Sequence, residues 1–480
     1  MAAGDPQTAM CATATLRAGG NAVDAALSAG FAGAVAEPAL TSLGGGGFLL
    51  VRDQGSTELL DFFVDAPGRG LPQHDLAPHF DPVTVDFSGA LQVFHAGFGS
   101  VASPGVLDGY LQAHRRLGRL PLREVVAPAV ALAERGAVLS TSQAAVLGLL
   151  RDILALTPAA ADLYLRHGHV PLAGEVFANA DYARFLELIG DEEPSGWADL
   201  PQAEALIEQM RAHGGLLTTD DLQHYRVREH TPLSVSYADA SLTTNPPPSF
   251  GGTIVYRALE ELHAIGGDRP SATAQVEALH HATEQQKGGA GDTTRPSSTK
   301  GTTHVSVVDG DGMIASMTTS NGSCSGVLVP GTGVQLNNMM GESDLHPDGF
   351  HAAEPGTRVA SMMAPSLLDL PDGSVVALGS GGSERIRSAL LQTVVRLVHG
   401  DSLAEAVSGP RFHFDGVASQ LEPGVSDALA TELESIGPVH RWTRTSVYFG
   451  GVNAVRRHHD GRLEAVGDAR RDGSGLVIDL

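Results

Sequence analysis

Lys300-Gly301-Thr302-Thr303-His304-Val305-Ser306-Val307-Val308-Asp309 is the stretch on which the reading of this chain turns. It is a strand pattern. Asp309-Gly310-Asp311-Gly312 follows, then a second strand pattern from Met313 to Thr318. Asp-Gly between two such runs signals a hairpin. Upstream, Lys287 to Thr299 is polar and rich in Gly, Ser and Thr, the composition of a flexible loop. The loop ends abruptly at Gly301-Thr302, at the edge of a sheet. Two readings are open from this stretch alone. One is a surface loop entering an ordinary hairpin. The other is a nucleophile that becomes a new N-terminus. The Thr302 hydroxyl would attack the Gly301 carbonyl, and hydrolysis of the resulting ester would free the Thr302 amine. An α-amine titrates at roughly 7.7–8.0 and is a usable base near neutrality, so one residue would carry nucleophile and base. A glycine before it tolerates the backbone geometry such an attack needs.

Working outward, Pro6 to Arg17 reads as a helix with Asp5 as N-cap and Gly19-Gly20 as its stop. Asn21 caps a second helix to Ala36, Ala/Gly-rich and mostly buried. Ser42-Leu43-Gly44-Gly45-Gly46-Gly47-Phe48 is a glycine run entering a strand. It lacks Gly-Lys-Ser/Thr and a following helix, so close backbone packing explains it better than a phosphate cradle. Leu59 to Pro67 is a strand and turn, and a helix runs from Val101-Gly105 to about Leu117. A broken helical region covers Leu122 to about Glu204, with further helices over Thr253–Ala264 and Gln275–Gln286. A strand from Val375 ends in Gly379-Ser380-Gly381-Gly382, which opens a helix to about His399. Amides gathered at such a helix start can hold an oxyanion, or serve only as the helix's own N-terminus.

The 480 residues support a sizeable core. Lys+Arg number 31 and Asp+Glu 55, a net charge of −24. That balance argues against nucleic acid or an anionic membrane as partner. Cys11 and Cys324 make neither a disulfide framework nor a zinc spacing. His167/His169 and His280-His281 lack acidic or cysteine partners at ligand spacing, so no metal site is expected. The opening residues show no basic-then-apolar leader and no stretch spans a bilayer, so a cytoplasmic location is expected.

Several motifs, in order, resemble the γ-glutamyltransferases of the N-terminal-nucleophile hydrolase class. They include Gly19-Gly20-Asn21-Ala22-Val23-Asp24-Ala25-Ala26, Glu37-Pro38, Gly44 to Phe48, Pro246-Pro247-Pro248-Ser249 and Thr302 to Asp309. Pro330-Gly331-Thr332-Gly333, Leu336-Asn337-Asn338-Met339, Ser361 to Pro365 and Asp468-Ala469-Arg470-Arg471 continue the series. Each alone is weak; together they favour the nucleophile reading of Thr302. The resemblance implies an α/β (α+β) fold, a four-layer αββα sandwich. It implies self-cleavage into a large-subunit segment, 1–301, and a small-subunit segment, 302–480, forming one intertwined domain. It also implies attack on a small-molecule γ-glutamyl amide such as glutathione, with water or an amine as acceptor and no cofactor. By position the catalytic set is Thr302, Thr303, Ser320, Asn321, Gly381 and Gly382. Thr319, Glu342 and Ser361 would bind substrate, with Glu342 in place of an Asp.

Three features depart from the family pattern. The Arg that clamps the substrate α-carboxylate is replaced, because the strand reads Asp61-Phe62-Phe63-Val64. A phenyl ring cannot reproduce a bidentate ionic clamp. The segment before Thr302 is short. A second serine beside Ser361 is Met362, and the usual Ser-Pro-Gly-Gly is Ser380-Gly381-Gly382. Arg358 and Arg385 flank matched motifs and are candidates to replace the missing cation. Glutaryl or other acyl amides, as in the related cephalosporin acylases, form the alternative substrate class; an uncleaved, non-catalytic paralogue is the alternative outside enzymes.

Overall fold

The computed structural model describes residues 1–72, 76, 79–86, 91–286, 301–346 and 349–479. The expected flexible loop before Gly301 lies outside them. Two antiparallel sheets face each other. The first has seven strands, in the order Ser474–Gly475, Ala2–Ala3, Gly301–Val308, Ile314–Gly322, Gly46–Asp53, Ser56–Phe62 and Arg228–His230. The second has six: Leu463–Val466, Gly451–Arg457, Val375–Gly381, Ser366–Asp369, Ala240–Thr244 and Leu233–Tyr237. The helix Ala22–Ala36 packs on the outer face of the first sheet, with Pro6–Arg17 and Leu122–Arg135 against it. Phe250–Ile265 and Arg385–Val398 cover the outer face of the second. This is the expected four-layer αββα sandwich.

Local sequence explains the layers. The Asn21 side chain accepts from Asp24 N–H while Asp24 accepts from Asn21 N–H, a capping box that starts Ala22–Ala36. All of that helix except Ala34 is buried, and its small residues allow close approach: a methyl on Gly30 would strike the Tyr110 ring. Gly46–Asp53 alternates, with Leu49 and Val51 turned to the helices and Phe48 and Leu50 turned to the second sheet.

The strand Gly301–Val308 alternates differently. Val305 and Val307 join the helix-side core, while His304 and Ser306 face the second sheet. His304 Nδ1 pairs with Thr318 Oγ1 at 2.7 Å and Nε2 with Ser306 Oγ at 2.9 Å. Asn453 Nδ2 donates to the His304 carbonyl at 2.8 Å and Ser306 Oγ to the Asn453 carbonyl at 3.2 Å. Burial pushes the His304 imidazole down to about 3, so it is neutral. This satisfied polar ladder ties the two sheets together beside Thr302. Both sheets draw strands from either side of residue 302. Among the described residues no helix is long and apolar enough to cross a membrane.

Candidate active site

The hairpin of Gly301–Val308 and Ile314–Gly322 brings Thr302 opposite Ser320, with a bulge between Gly301 and Thr302. Thr302 Oγ1 donates to Ser320 Oγ at 3.3 Å. Ser320 Oγ in turn donates to the Gly301 carbonyl oxygen and accepts from Gly322 N–H at 3.1 Å. One hydroxyl thus touches both the Thr302 oxygen and the carbonyl before it. Gly301 is enclosed: a methyl there would collide with the Ala39 and Gly322 carbonyls and reach within 2.9 Å of Leu40 Cα.

The Thr302 carbonyl points to the second sheet. Arg471 Nη1 donates to it at 3.2 Å, and a methyl on Gly381 would collide with it. Gly381 ends its strand, and Gly382, at φ +124°, turns the chain toward the helix Arg385–Val398. Those two glycines therefore lie where the strand–helix junction meets Thr302. Burial pushes the Arg471 guanidinium down to about 10, so it stays charged at neutrality.

Thr303 points the opposite way. Its Oγ1 donates to Glu37 Oε2 at 2.6 Å, and Thr8 Oγ1 donates to Glu37 Oε1 at 3.1 Å. Burial, with Asp5 nearby, pushes the Glu37 carboxyl up to about 7. Thr303 thus anchors the strand from behind rather than facing the cleft.

The pleat also corrects two sequence expectations. Thr319 and Asn321 flank Ser320 and so face the helix layer. Thr319 Oγ1 pairs with Thr41 Oγ1 at 2.8 Å, and Asn321 Nδ2 donates to the Leu336 carbonyl at 3.3 Å. Neither lines the cleft at Thr302; of the three, only Ser320 does.

That cleft, open to solvent, lies beside Thr302 where the two sheets meet. Its apolar walls are Phe63, Met339, Leu345, Met362, Met363 and Ile386, and its polar groups are Thr302, Ser320, Glu342, Ser361 and Ser383. Glu342 and Ser361, both named from the sequence, reach this cleft from loops far apart in the chain. A methyl on Gly322 would lie 2.7 Å from Glu342 Oε1, which places the carboxyl beside the Ser320 turn. Ser361 is held by a parallel bridge to Ser249, and its Oγ accepts from Met363 N–H at 3.2 Å.

Neither candidate arginine lines the cleft. Arg358 is buried, with Nε 3.5 Å from Asp61 and 3.4 Å from Asp65, and donates to Tyr225 Oη at 2.9 Å. Arg385 lies over the Tyr448 ring at 4.8 Å and donates to the Tyr448 carbonyl at 3.0 Å. His281 pairs with Glu261 at 2.9 Å. Among the described residues no three His, Cys, Asp or Glu side chains are grouped to hold a metal ion.

The family model for gamma-glutamyltranspeptidase matches residues 8–299 and 291–478. This chain belongs to the gamma-glutamyltranspeptidase family. It is therefore an enzyme family member with the N-terminal-nucleophile hydrolase fold. It is 33% identical to the Acylase ACY 1 proenzyme of Pseudomonas sp. (strain SE83), over 96% of this chain and 90% of that protein. It is 28% identical to the Glutathione hydrolase proenzyme of Bacillus subtilis (strain 168), over 97% and 89%. The cephalosporin acylase structure from Bacillus halodurans superposes with a TM-score of 0.82 at 25% identity, covering 100% of this chain and 95% of that one.

Glu37, Arg471 and Ser383 carried no assigned role in the sequence reading. Glu37-Pro38 and Asp468 to Arg471 stand among the matched motifs, which was the available signal. Nothing local shows that Arg471, 169 positions away, reaches the Thr302 carbonyl.

Proposed function

We propose that the chain cuts itself between Gly301 and Thr302 and then acts as an amide-cleaving hydrolase or acyl transferase through Thr302. The observation that carries this reading is the Ser320 hydroxyl, which accepts from Thr302 Oγ1 and donates to the Gly301 carbonyl oxygen. That carbonyl oxygen gains charge when Thr302 attacks, and a donor already aimed at it lowers the barrier. Attack forms a Thr302 ester as the Gly301–Thr302 C–N bond breaks. Water then splits the ester, leaving a Gly301 carboxylate and a free Thr302 amine.

In turnover the amine takes the Thr302 hydroxyl proton as the oxygen attacks a substrate amide, and returns it to the leaving amine. The acyl ester passes to water or an acceptor amine. Gly381 and Gly382 supply amides to the oxyanion at the strand–helix junction. Glu342 and Ser361 contact the acyl group in the cleft, while Thr303 holds the strand through Glu37. The products of self-cleavage are a large segment, 1–301, and a small one, 302–480.

The relatives' names span two activities, glutathione hydrolase and acylase. The apolar cleft favours the second. N-terminal sequencing of the purified protein tests the core of the proposal. Two chains are expected, the smaller beginning Thr302-Thr303-His304, and Thr302→Ala is expected to stay whole and inactive. Cleavage at this junction in Thr302→Ala would reject Thr302 as nucleophile.

A further inference from the structure

The two residues of the Gly301–Thr302 bond line different spaces. Thr302 lines the cleft, whereas Gly301 lines a second, partly enclosed hollow together with Gln143 and Arg471. Gln143 comes from the helix Thr141–Leu149 and Arg471 from the turn Ala469–Arg471. Their chain neighbours tie the two together: Asp472 accepts from Ser142 N–H at 3.0 Å and from Ser142 Oγ at 2.6 Å. Ser142 and five aliphatic side chains, Leu40 and Val146 among them, complete the wall.

Two polar atoms of this wall are unmatched. Gln143 is 1% exposed and Arg471 7%. Gln143 Oε1, an acceptor, and Arg471 Nε, a donor, are buried without a hydrogen-bond partner among the described residues. The other Arg471 nitrogens donate to the Thr302 and Val447 carbonyls. A buried donor and a buried acceptor left unmatched are both unfavourable. A guest that donates to one and accepts from the other answers the pair. Water does both, and the hollow has room for about one molecule of it.

We propose that Gln143 and Arg471 hold the water that completes self-cleavage, with Gln143 as a positioning residue for the hydrolytic step. This inference rests on the self-cleavage reading above and assigns its second step. Once the Thr302 hydroxyl has attacked, Gly301 is an ester on Thr302 Oγ and the Thr302 amine is free. The water donates one O–H to Gln143 Oε1, accepts from Arg471 Nε, and attacks the Gly301 carbonyl carbon with its remaining lone pair. The new C–O bond forms, the C–Oγ bond breaks, and Thr302 Oγ takes one water proton. The other proton passes to the Thr302 amine, leaving a Gly301 carboxylate. The nucleophile thus comes from the cleft and the water from the hollow, so neither displaces the other.

Gln143→Leu removes the acceptor with little change in volume. Ester hydrolysis should slow about 10²-fold, the cost of a misplaced reactant, while attack by Thr302 proceeds. Hydroxylamine separates the two steps, because at neutral pH it cleaves the ester from solution without using the water site. It should restore cleavage in Gln143→Leu and leave a Gly301 hydroxamate, read by mass spectrometry. Gln143→Glu keeps an oxygen acceptor and should recover most of the wild-type rate without hydroxylamine. Val146→Phe, which fills the hollow, should behave like Gln143→Leu, and carries the test where the leucine variant loses the wild-type circular dichroism.

Wild-type cleavage rates in Gln143→Leu and Val146→Phe overturn the water site and leave self-cleavage by Thr302 standing. Folded variants that cleave slowly and yield no hydroxamate also overturn it, because their defect then lies before the ester. Wild-type protein that stays one chain, with and without hydroxylamine, overturns the self-cleavage reading and this inference with it.

Discussion

At the residue scale the chemistry gathers on Ser320. Its hydroxyl reaches Thr302 Oγ1 and the Gly301 carbonyl together. Ser320→Ala removes the donor to the scissile carbonyl, and losing one such donor typically costs about 10²–10³ in rate. Self-cleavage followed by gel densitometry should slow by that order, with the fold retained. Cleavage at the wild-type rate would show that the hydroxyl does not assist. Glu37 gives a second test, through pH. Its carboxyl titrates near 4.5 when unfolded and near 7 in the fold, raised chiefly by burial. The folded state therefore holds the extra proton between those values, and stability falls as pH rises from about 4.5 to about 7. Above that range the full penalty remains. Glu37→Gln keeps a side-chain acceptor for Thr303 and removes the titration. Its Tm relative to wild type should be more favourable at pH 8 than at pH 5, and a pH-independent difference would show that Glu37 does not titrate there. Thr302, Ser320, Glu342 and Ser361 could be named from the sequence as candidates, and they line one cleft. Thr319 and Asn321 were misplaced because a register one residue off flips a side chain to the other face of a strand.

At the scale of elements, the junction Val375–Gly381 to Arg385–Val398 presses on Thr302. A methyl on Gly381 has no space, because the Thr302 carbonyl oxygen occupies it. Gly381→Ala should push the second sheet away from Thr302 and lower kcat in the cleaved enzyme about 10²–10³-fold. Gly148→Ala is the control: nothing lies within 4 Å of the added methyl in the helix Thr141–Leu149. Both variants should keep the wild-type circular dichroism, and equal kcat in the two would remove Gly381 from the site. The helices Pro6–Arg17 and Ala22–Ala36 were readable because Asp5 and Asn21 cap them with their own side chains. Most of the second sheet was not. Ser366–Asp369 and Leu463–Val466 are four residues each. Apolar runs that short carry no period that separates strand from buried helix. Val375–Gly381 was read because a glycine pair and a helix follow it.

At the scale of the molecule, the proposed cleavage before Thr302 would cut a chain whose pieces are already woven together. The resemblance implied two segments, but not how their strands interleave, since strand order depends on pairings across hundreds of residues. Ala2–Ala3 lies between Gly301–Val308 and Ser474–Gly475. Gly46–Asp53 pairs with Ile314–Gly322, and Ala240–Thr244 with Ser366–Asp369. All three hydrophobic clusters contain residues from both segments. Pulling the segments apart would strip both sheets of partners and open every core at once. Buried strand edges and apolar surface would then face water together, so separation is equivalent to unfolding. The cleaved protein should run as two bands in denaturing gels but as one species in native mass spectrometry, close to the intact 49.7 kDa plus one water per protomer. Dilution to nanomolar concentration should not divide it. Urea should release the segments only across the transition that abolishes the near-ultraviolet signal. Segments that separate in non-denaturing buffer, each still folded, would contradict the interleaving of the two sheets.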